Sequence, residues 1–184
     1  MSGPQSTEQN AERLFLAIWP SPEAKSHAKQ ATDRVAEDPE VTGVSWKPTH
    51  RWHLTVLFLG TLPVRHHRRI RQVAASAAAR STPAPLTLTG SGIFRNALWL
   101  GLSESSWLSD VHDGVSELSG ESRRFTGHVT IARGRRDLTG LRRARAYLAD
   151  YAGIPWQPQT LDLVRSELGP TPNYEVVARF PLGG

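Results

Sequence analysis

Two short stretches hold the residues most able to do chemistry. His53-Leu54-Thr55-Val56 and His128-Val129-Thr130-Ile131 share one form, and they contain the only His-x-Thr triplets in the 184 residues. Side chains of a strand alternate between its faces, so each histidine shares a face with its threonine. The apolar neighbours turn the other way. If those apolar faces are buried, two imidazoles and two hydroxyls are free to meet across one cleft. Such a set suits the hydrolysis of a phosphodiester by water. One imidazole, with an ordinary pKa of about 6.5, takes a proton from the water, and the other gives one to the leaving oxygen. Each such transfer contributes about 10²- to 10⁴-fold. Threonine hydroxyls and a nearby arginine can donate to the non-bridging oxygens. The scheme requires no metal.

The letters alone are thin evidence, since two such triplets arise by luck in roughly one chain in ten at this threonine content. Context adds the weight: both open apolar strands and both precede a helix. Other chemistries find little support. The sequence has no cysteine, which removes disulfides, thiolate nucleophiles and cysteine-based zinc sites. His50 lies three residues before His53, and His66 adjoins His67, but no carboxylate cluster accompanies them to complete a metal site. No Gly-x-x-x-x-Gly-Lys-Ser/Thr loop is present, so nothing points to nucleoside triphosphate use. No cofactor is expected.

Net charge is +5, and lysine occurs only at Lys25, Lys29 and Lys47, so arginine dominates. The guanidinium fork matches phosphate oxygens, which biases a basic chain toward phosphorylated partners, nucleic acid among them. An arginine-rich surface that is merely solvated explains the composition equally well. The run from Arg65 to Arg71 is read as a solvated helix face in preference to an RNA grip. Trp46 and Trp52 flank the first motif and could stack on a base or pack in the core. No apolar run approaches the roughly 20 residues of a membrane helix, and the N-terminus lacks the pattern of a secretory signal. The expectation is a cytoplasmic monomer, with residues 1–12 a flexible tail and 13–182 a single bilobal domain.

Several elements must position the two motifs. Residues 13–20 read as a buried strand ended by Pro20. Ser21, Pro22 and Glu23 mark a helix start, with the helix running to about Ala36. Strands follow at 43–48, halted by Pro48, and from His53 to Leu59, ended by Gly60. A helix with Ile70, Val73, Ala74, Ala77 and Ala78 on one face comes next. Residues 86–94 and 97–102 form a hairpin turning at Arg95 to Ala97. A helix then carries Trp107, Leu108, Val111, Val115 and Leu118 on one face, with Gly120 as its cap. After the strand of His128, a helix closes at Gly153. Two strands, separated by a turn-rich loop before Tyr174, end the chain. The resulting order, β-α-β-β-α-β-β-α-β-α-β-β, predicts an α+β fold.

Taken together, the sequence resembles the 2H phosphoesterase superfamily, which is defined by two His-x-Thr/Ser motifs. More narrowly it resembles the bacterial RNA 2′,3′-cyclic phosphodiesterases, also called 2′-5′ RNA ligases. "RLFLAIWPSPEA", "HLTVLFLG", "HVTIAR", "ELGP" and "YEVVARFPL" carry the likeness from about Arg13 to Leu182. The resemblance implies a bilobal fold with pseudo-two-fold symmetry, in which two antiparallel or mixed sheets form a central cleft and helices cover the outer faces. It implies metal-independent opening of an RNA 2′,3′-cyclic phosphate to a 2′-phosphate. His53 and His128 would be the acid–base pair, and Thr55, Thr130 and Arg133 would hold the phosphate. A 2′-phosphate product makes O3′ the leaving oxygen, giving His128 the role of base and His53 that of acid. The resemblance also implies reversible, ATP-independent 2′-5′ RNA ligation. A small cyclic nucleotide, such as ADP-ribose 1″,2″-cyclic phosphate, is an alternative substrate, and a non-catalytic RNA-binding module is an alternative class. Two departures stand out. Gly127 replaces a usual proline, and Glu167 follows Ser166 where relatives often carry arginine. The segment before the second motif is also short.

Overall fold

A computed structural model describes residues 11–120, 125–135, 137–167 and 173–183. Most of the expected N-terminal tail, much of the short segment before the second motif, and nearly all of the turn-rich loop of the last hairpin lie outside the described residues.

The chain begins with β1 (Ala11–Ile18), whose run from Leu14 to Ile18 is wholly buried. Helix α1 (Pro22–Ala36) follows, with the Ser21 hydroxyl accepting from the Ala24 amide at 3.1 Å and Pro22 in the first turn. Both features satisfy or avoid orphan amides at a helix start. Short β2 (Val44–Trp46) and a 3₁₀ turn lead into β3 (Leu54–Pro63). A second 3₁₀ turn then opens α2 (His67–Ala79). The hairpin β4 (Leu86–Phe94) and β5 (Ala97–Leu102) turns at Arg95, which takes φ 55°. Helix α3 (Ser106–Ser116) is capped by Ser105 and stops short of Gly120. Then come β6 (His128–Gly134), α4 (Thr139–Tyr147), β7 (Ala152–Trp156), β8 (Thr160–Glu167) and β9 (Asn173–Pro181).

All the strand pairings are antiparallel, in the order β7-β4-β5-β6-β3-β1-β8-β9, with β2 also on β6. The path divides into two four-stranded halves joined by a single bridge pair, Leu54 with Val129. Helices α2 and α3 lie on the β3-β1-β8-β9 half, and α1 and α4 on the β7-β4-β5-β6 half. Each half therefore has a helix-covered face and an open face. A two-fold relation maps β3 onto β6, β1 onto β5, β8 onto β4 and β9 onto β7.

Strand β1 shows how both faces of a central strand are used. Leu14, Leu16 and Ile18 join the main core. Phe15 and Ala17 turn to the opposite face, where they form a small cluster with Val164, flanked by Trp19, Tyr174 and Val176.

One strand differs from expectation. The helix expected to close at Gly153 ends at Tyr147, and the chain then pairs with β4 as β7, matching Trp156 to Leu86 and Pro155 to Thr87. A proline is tolerated on an edge strand, and a five-residue edge strand that contains Gly153 and Pro155 is too short and too broken by turn-forming residues to reveal itself. Among the described residues no helix is long and apolar enough to cross a membrane.

Candidate active site

Leu54 and Val129 are fully buried at the junction of the two halves. Strand alternation then turns His53 and Thr55, and His128 and Thr130, to the open face. All four line one cleft of about 240 Å³, together with Arg133. The five residues singled out by sequence thus stand together.

The two imidazoles are held in the same way. His53 Nδ1 lies 2.8 Å from the carbonyl oxygen of Arg51, and His128 Nδ1 lies 2.8 Å from that of Thr126. A carbonyl only accepts, so each Nδ1 carries a proton and donates it. The second ring nitrogen, Nε2, is left for the cleft in both rings. A neutral ring can accept a proton there, and a protonated ring can give one.

Arg133 reaches the cleft through an irregularity. Strict alternation would place it with Val129 and Ile131, away from His128. The β5–β6 register shifts between Trp99, opposite Thr130, and Leu98, opposite Ala132, so Ile131 is an extra residue. Ile131 and Ala132 are both buried in succession, and the next side chain, Arg133, swings to the histidine face. A bulge re-aims side chains in this way. The β1–β3 ladder shifts at the equivalent step, with Ala17 opposite Thr55 and Leu16 opposite Leu57. There Val56 is the extra residue and Phe58 is the one redirected. Phe58 and Arg133 therefore occupy matching places, five residues after their histidines.

Asn96, in the β4–β5 turn, steadies Arg133. Its Oδ1 accepts from Arg133 Nη1 at 3.3 Å, and its Nδ2 donates to the Gly134 carbonyl at 3.2 Å.

Each imidazole also has aromatic neighbours. Phe15 stacks on His53 at 4.9 Å, Tyr174 meets it edge-on at 5.2 Å, and Trp19 lies 5.2 Å away. His128 is met edge-on by Phe94 at 5.1 Å, with Trp99 at 5.9 Å. Trp99 can lie there because its strand partner is Gly92, where a Cβ would come within 2.1 Å of the indole.

Burial pushes the His53 pKa down to about 4. The Arg51 carbonyl, which favours the protonated ring, opposes this, while Lys47, Lys25 and His128 add to it. Lys47 lies between β2 and the first 3₁₀ turn, tied by its backbone amide to the Ile131 carbonyl at 2.8 Å. Burial, then Arg133 and Arg51, lower its pKa to about 8. This crowding of cations is what a bound anion relieves.

Sequence reasoning missed Lys47, Arg13, Phe15, Phe58, Ser166 and Tyr174 as lining residues. Alternation within β1 could have offered Arg13 and Phe15 as a pair, but placing them here required the sheet order. Trp52, offered as a stacking candidate, is 1% exposed and donates from Nε1 to the Lys47 carbonyl at 3.0 Å. Trp46 packs against the same core. Both are core residues, because the motif's apolar face turns toward the helices.

The two departures also have their places. A Cβ on Gly127 would come 2.8 Å from Leu102 Cδ1, so the strand enters the site pressed against that side chain. Arg165 faces away from the cleft, where it is ion-paired with Glu12 at 2.7 Å and with Glu175, while Ser166 lines it. In the basic run, His67 meets Glu12 at 3.1 Å, Arg69 meets Glu117 at 3.8 Å, and Arg71 donates to the Val177 carbonyl at 2.9 Å. The described residues gather no group of three or more His, Cys, Asp or Glu able to hold a metal.

Known proteins resemble this chain in sequence and in fold. The family described as the 2′-5′ RNA ligase superfamily matches residues 17–170. The RNA 2′,3′-cyclic phosphodiesterase of Geobacillus stearothermophilus is 30% identical over 172 residues, which cover 86% of this chain and 55% of that protein. The protein of the same name from Thermus thermophilus is 30% identical, over 94% of this chain and 91% of its own length. The chain thus spans little more than half of the first relative and nearly all of the second. Among solved structures, apo E. coli LigT matches with a TM-score of 0.76 over 96% of this chain and 100% of its own, at 20% identity, a likeness of fold. The chain belongs to the 2′-5′ RNA ligase superfamily.

Proposed function

We propose that this protein opens the 2′,3′-cyclic phosphate at an RNA end to a 2′-phosphate by acid–base catalysis from two histidines. The observation that carries the reading is the matched pair of Nδ1–carbonyl bonds. They leave two Nε2 atoms for one cleft that also holds Thr55, Thr130 and Arg133. The activity named for the Geobacillus and Thermus relatives supports it.

In the proposed step, water attacks phosphorus and gives its proton to Nε2 of His128. The bond from phosphorus to O3′ breaks, and O3′ takes a proton from Nε2 of His53. Thr55, Thr130 and Arg133 donate to the non-bridging oxygens as charge builds there. Burial lowers the proton affinity of His53, and the charge of a bound substrate acts against that. An anion beside an imidazole favours the cation, so phosphate and proton bind together. A 5′-hydroxyl in place of water would give a 2′-5′ bond without ATP.

The test is an oligonucleotide ending in a 2′,3′-cyclic phosphate, incubated with EDTA, with the product phosphate located by NMR. A 2′-phosphate is expected. No ring opening, a 3′-phosphate, or loss of activity with EDTA would overturn the reading.

A further inference from the structure

At one matched pair in the cleft the two halves differ in chemistry. At matching bulged positions one half offers a cation, Arg133, and the other an aromatic ring, Phe58. Phe58 is 57% exposed on the cleft wall, an open apolar face with no packing role to match its size. It stands at the edge of an aromatic floor that runs outward from His53. Phe15 is 4.9 Å from that imidazole, 5.4 Å from Tyr174 and 6.2 Å from Phe58.

Beyond this floor lies Arg13. It is two residues from Phe15 on the same face of β1, opposite Thr61 of β3, and it lines the cleft with Ser166. Arg13 is exposed. Among the described residues no carboxylate pairs with it, whereas Arg165 on the other face is held by Glu12 and Glu175. From Ala17, which pairs with Thr55, to Arg13 is four residues, about 13 Å of extended strand. An arginine side chain reaches back over part of that.

We infer that Phe58 and Arg13 form a subsite for the nucleotide that bears the cyclic phosphate, Phe58 stacking on its base and Arg13 binding the phosphodiester on its 5′ side. The inference rests on the function proposed above and sharpens its substrate class. Aromatic stacking tolerates any base, and an arginine fork fits a phosphodiester's two free oxygens. A free cyclic mononucleotide with a 5′-hydroxyl gives Arg13 nothing to bind. The subsite therefore selects a chain end, of two nucleotides or more.

The experiment compares kcat/KM for a dinucleotide ending in a 2′,3′-cyclic phosphate with that for the corresponding cyclic mononucleotide. In the native protein the ratio should be about 10 or more, the effect of one charge-assisted contact. In Arg13→Ala it should fall to about 1, with Arg13→Lys between, since lysine keeps the charge without the fork. Phe58→Ala should raise KM for both substrates, and Phe58→Trp should restore it. A native ratio near 1, or a ratio unchanged in Arg13→Ala, overturns the subsite while leaving the catalytic reading intact. A native protein that opens neither substrate overturns the catalytic reading and the subsite with it.

Discussion

Leu54 of β3 faces Val129 of β6, and this single pair joins the two halves of the sheet. Each residue sits between the histidine and threonine of its own motif. The same rung that closes the fold therefore sets the spacing of the two imidazoles, and it does so with buried side chains on the face away from the cleft.

Leu54→Ala should destabilise the protein by about 2–5 kcal/mol, the usual cost of emptying a fully buried leucine site. It should also lower kcat in the fraction that remains folded, because the cavity lies under both motifs. Urea denaturation and rates on folded protein check this. A stable variant with native kcat would show that the rung does not govern the site.

His53→Ala and His128→Ala should each lower kcat by about 10²- to 10⁴-fold. The two losses should separate when the leaving oxygen changes. A p-nitrophenyl leaving group needs no proton, so His53→Ala should recover most of its rate on such a diester while His128→Ala does not. Recovery in His128→Ala instead would reverse the assignment of acid and base.

The depressed pKa of His53, about 4, makes stability depend on pH. Between about 6.5 and 4 the unfolded chain holds a proton on this residue that the folded protein does not. Stability therefore rises with pH across that window and is lost as pH falls through it, by at most about 1.4 kcal/mol per pH unit for one proton. Denaturation midpoints measured from pH 4 to 7 should fall less steeply toward acid in His53→Gln than in the native protein. Parallel curves would mean that burial does not hold the imidazole neutral.

The sequence made some of this site legible and hid the rest for physical reasons. His53, Thr55, His128 and Thr130 could be placed because alternation over three residues needs only local letters. Arg133 shares the wrong parity for the cleft, and only the bulge at Ile131 brings it in. Family resemblance, not strand alternation, pointed to it. Phe58 obeys the same rule at Val56, and nothing in the letters marks an extra residue in a ladder. Arg13, Ser166 and Tyr174 come from β1, β8 and β9, which reach the cleft through strand order that pairs distant segments. Trp46 and Trp52 stayed ambiguous because apolar residues beside a motif serve a core or a ligand equally well. β7 was hidden by its shortness and its proline.

Lys47 offers a test of charge in the cleft apart from the histidines. Its pKa, lowered to about 8 by burial and by Arg133 and Arg51, means that it is mostly charged at pH 7 and loses its charge as pH rises through 8. A cyclic phosphodiester keeps one negative charge over the same range, so any change in its binding belongs to the protein. KM for the cyclic-ended oligonucleotide should therefore rise as pH passes about 8. Lys47→Met keeps the length of the side chain without the ammonium, and its KM should be higher at pH 7 and flat through pH 8. Because the backbone of residue 47 is tied to Ile131 through its amide and to Trp52 through its carbonyl, the substitution should leave the fold in place, which circular dichroism can verify. A native KM that is flat from pH 7 to 9 would show that the Lys47 ammonium takes no part in holding the phosphate.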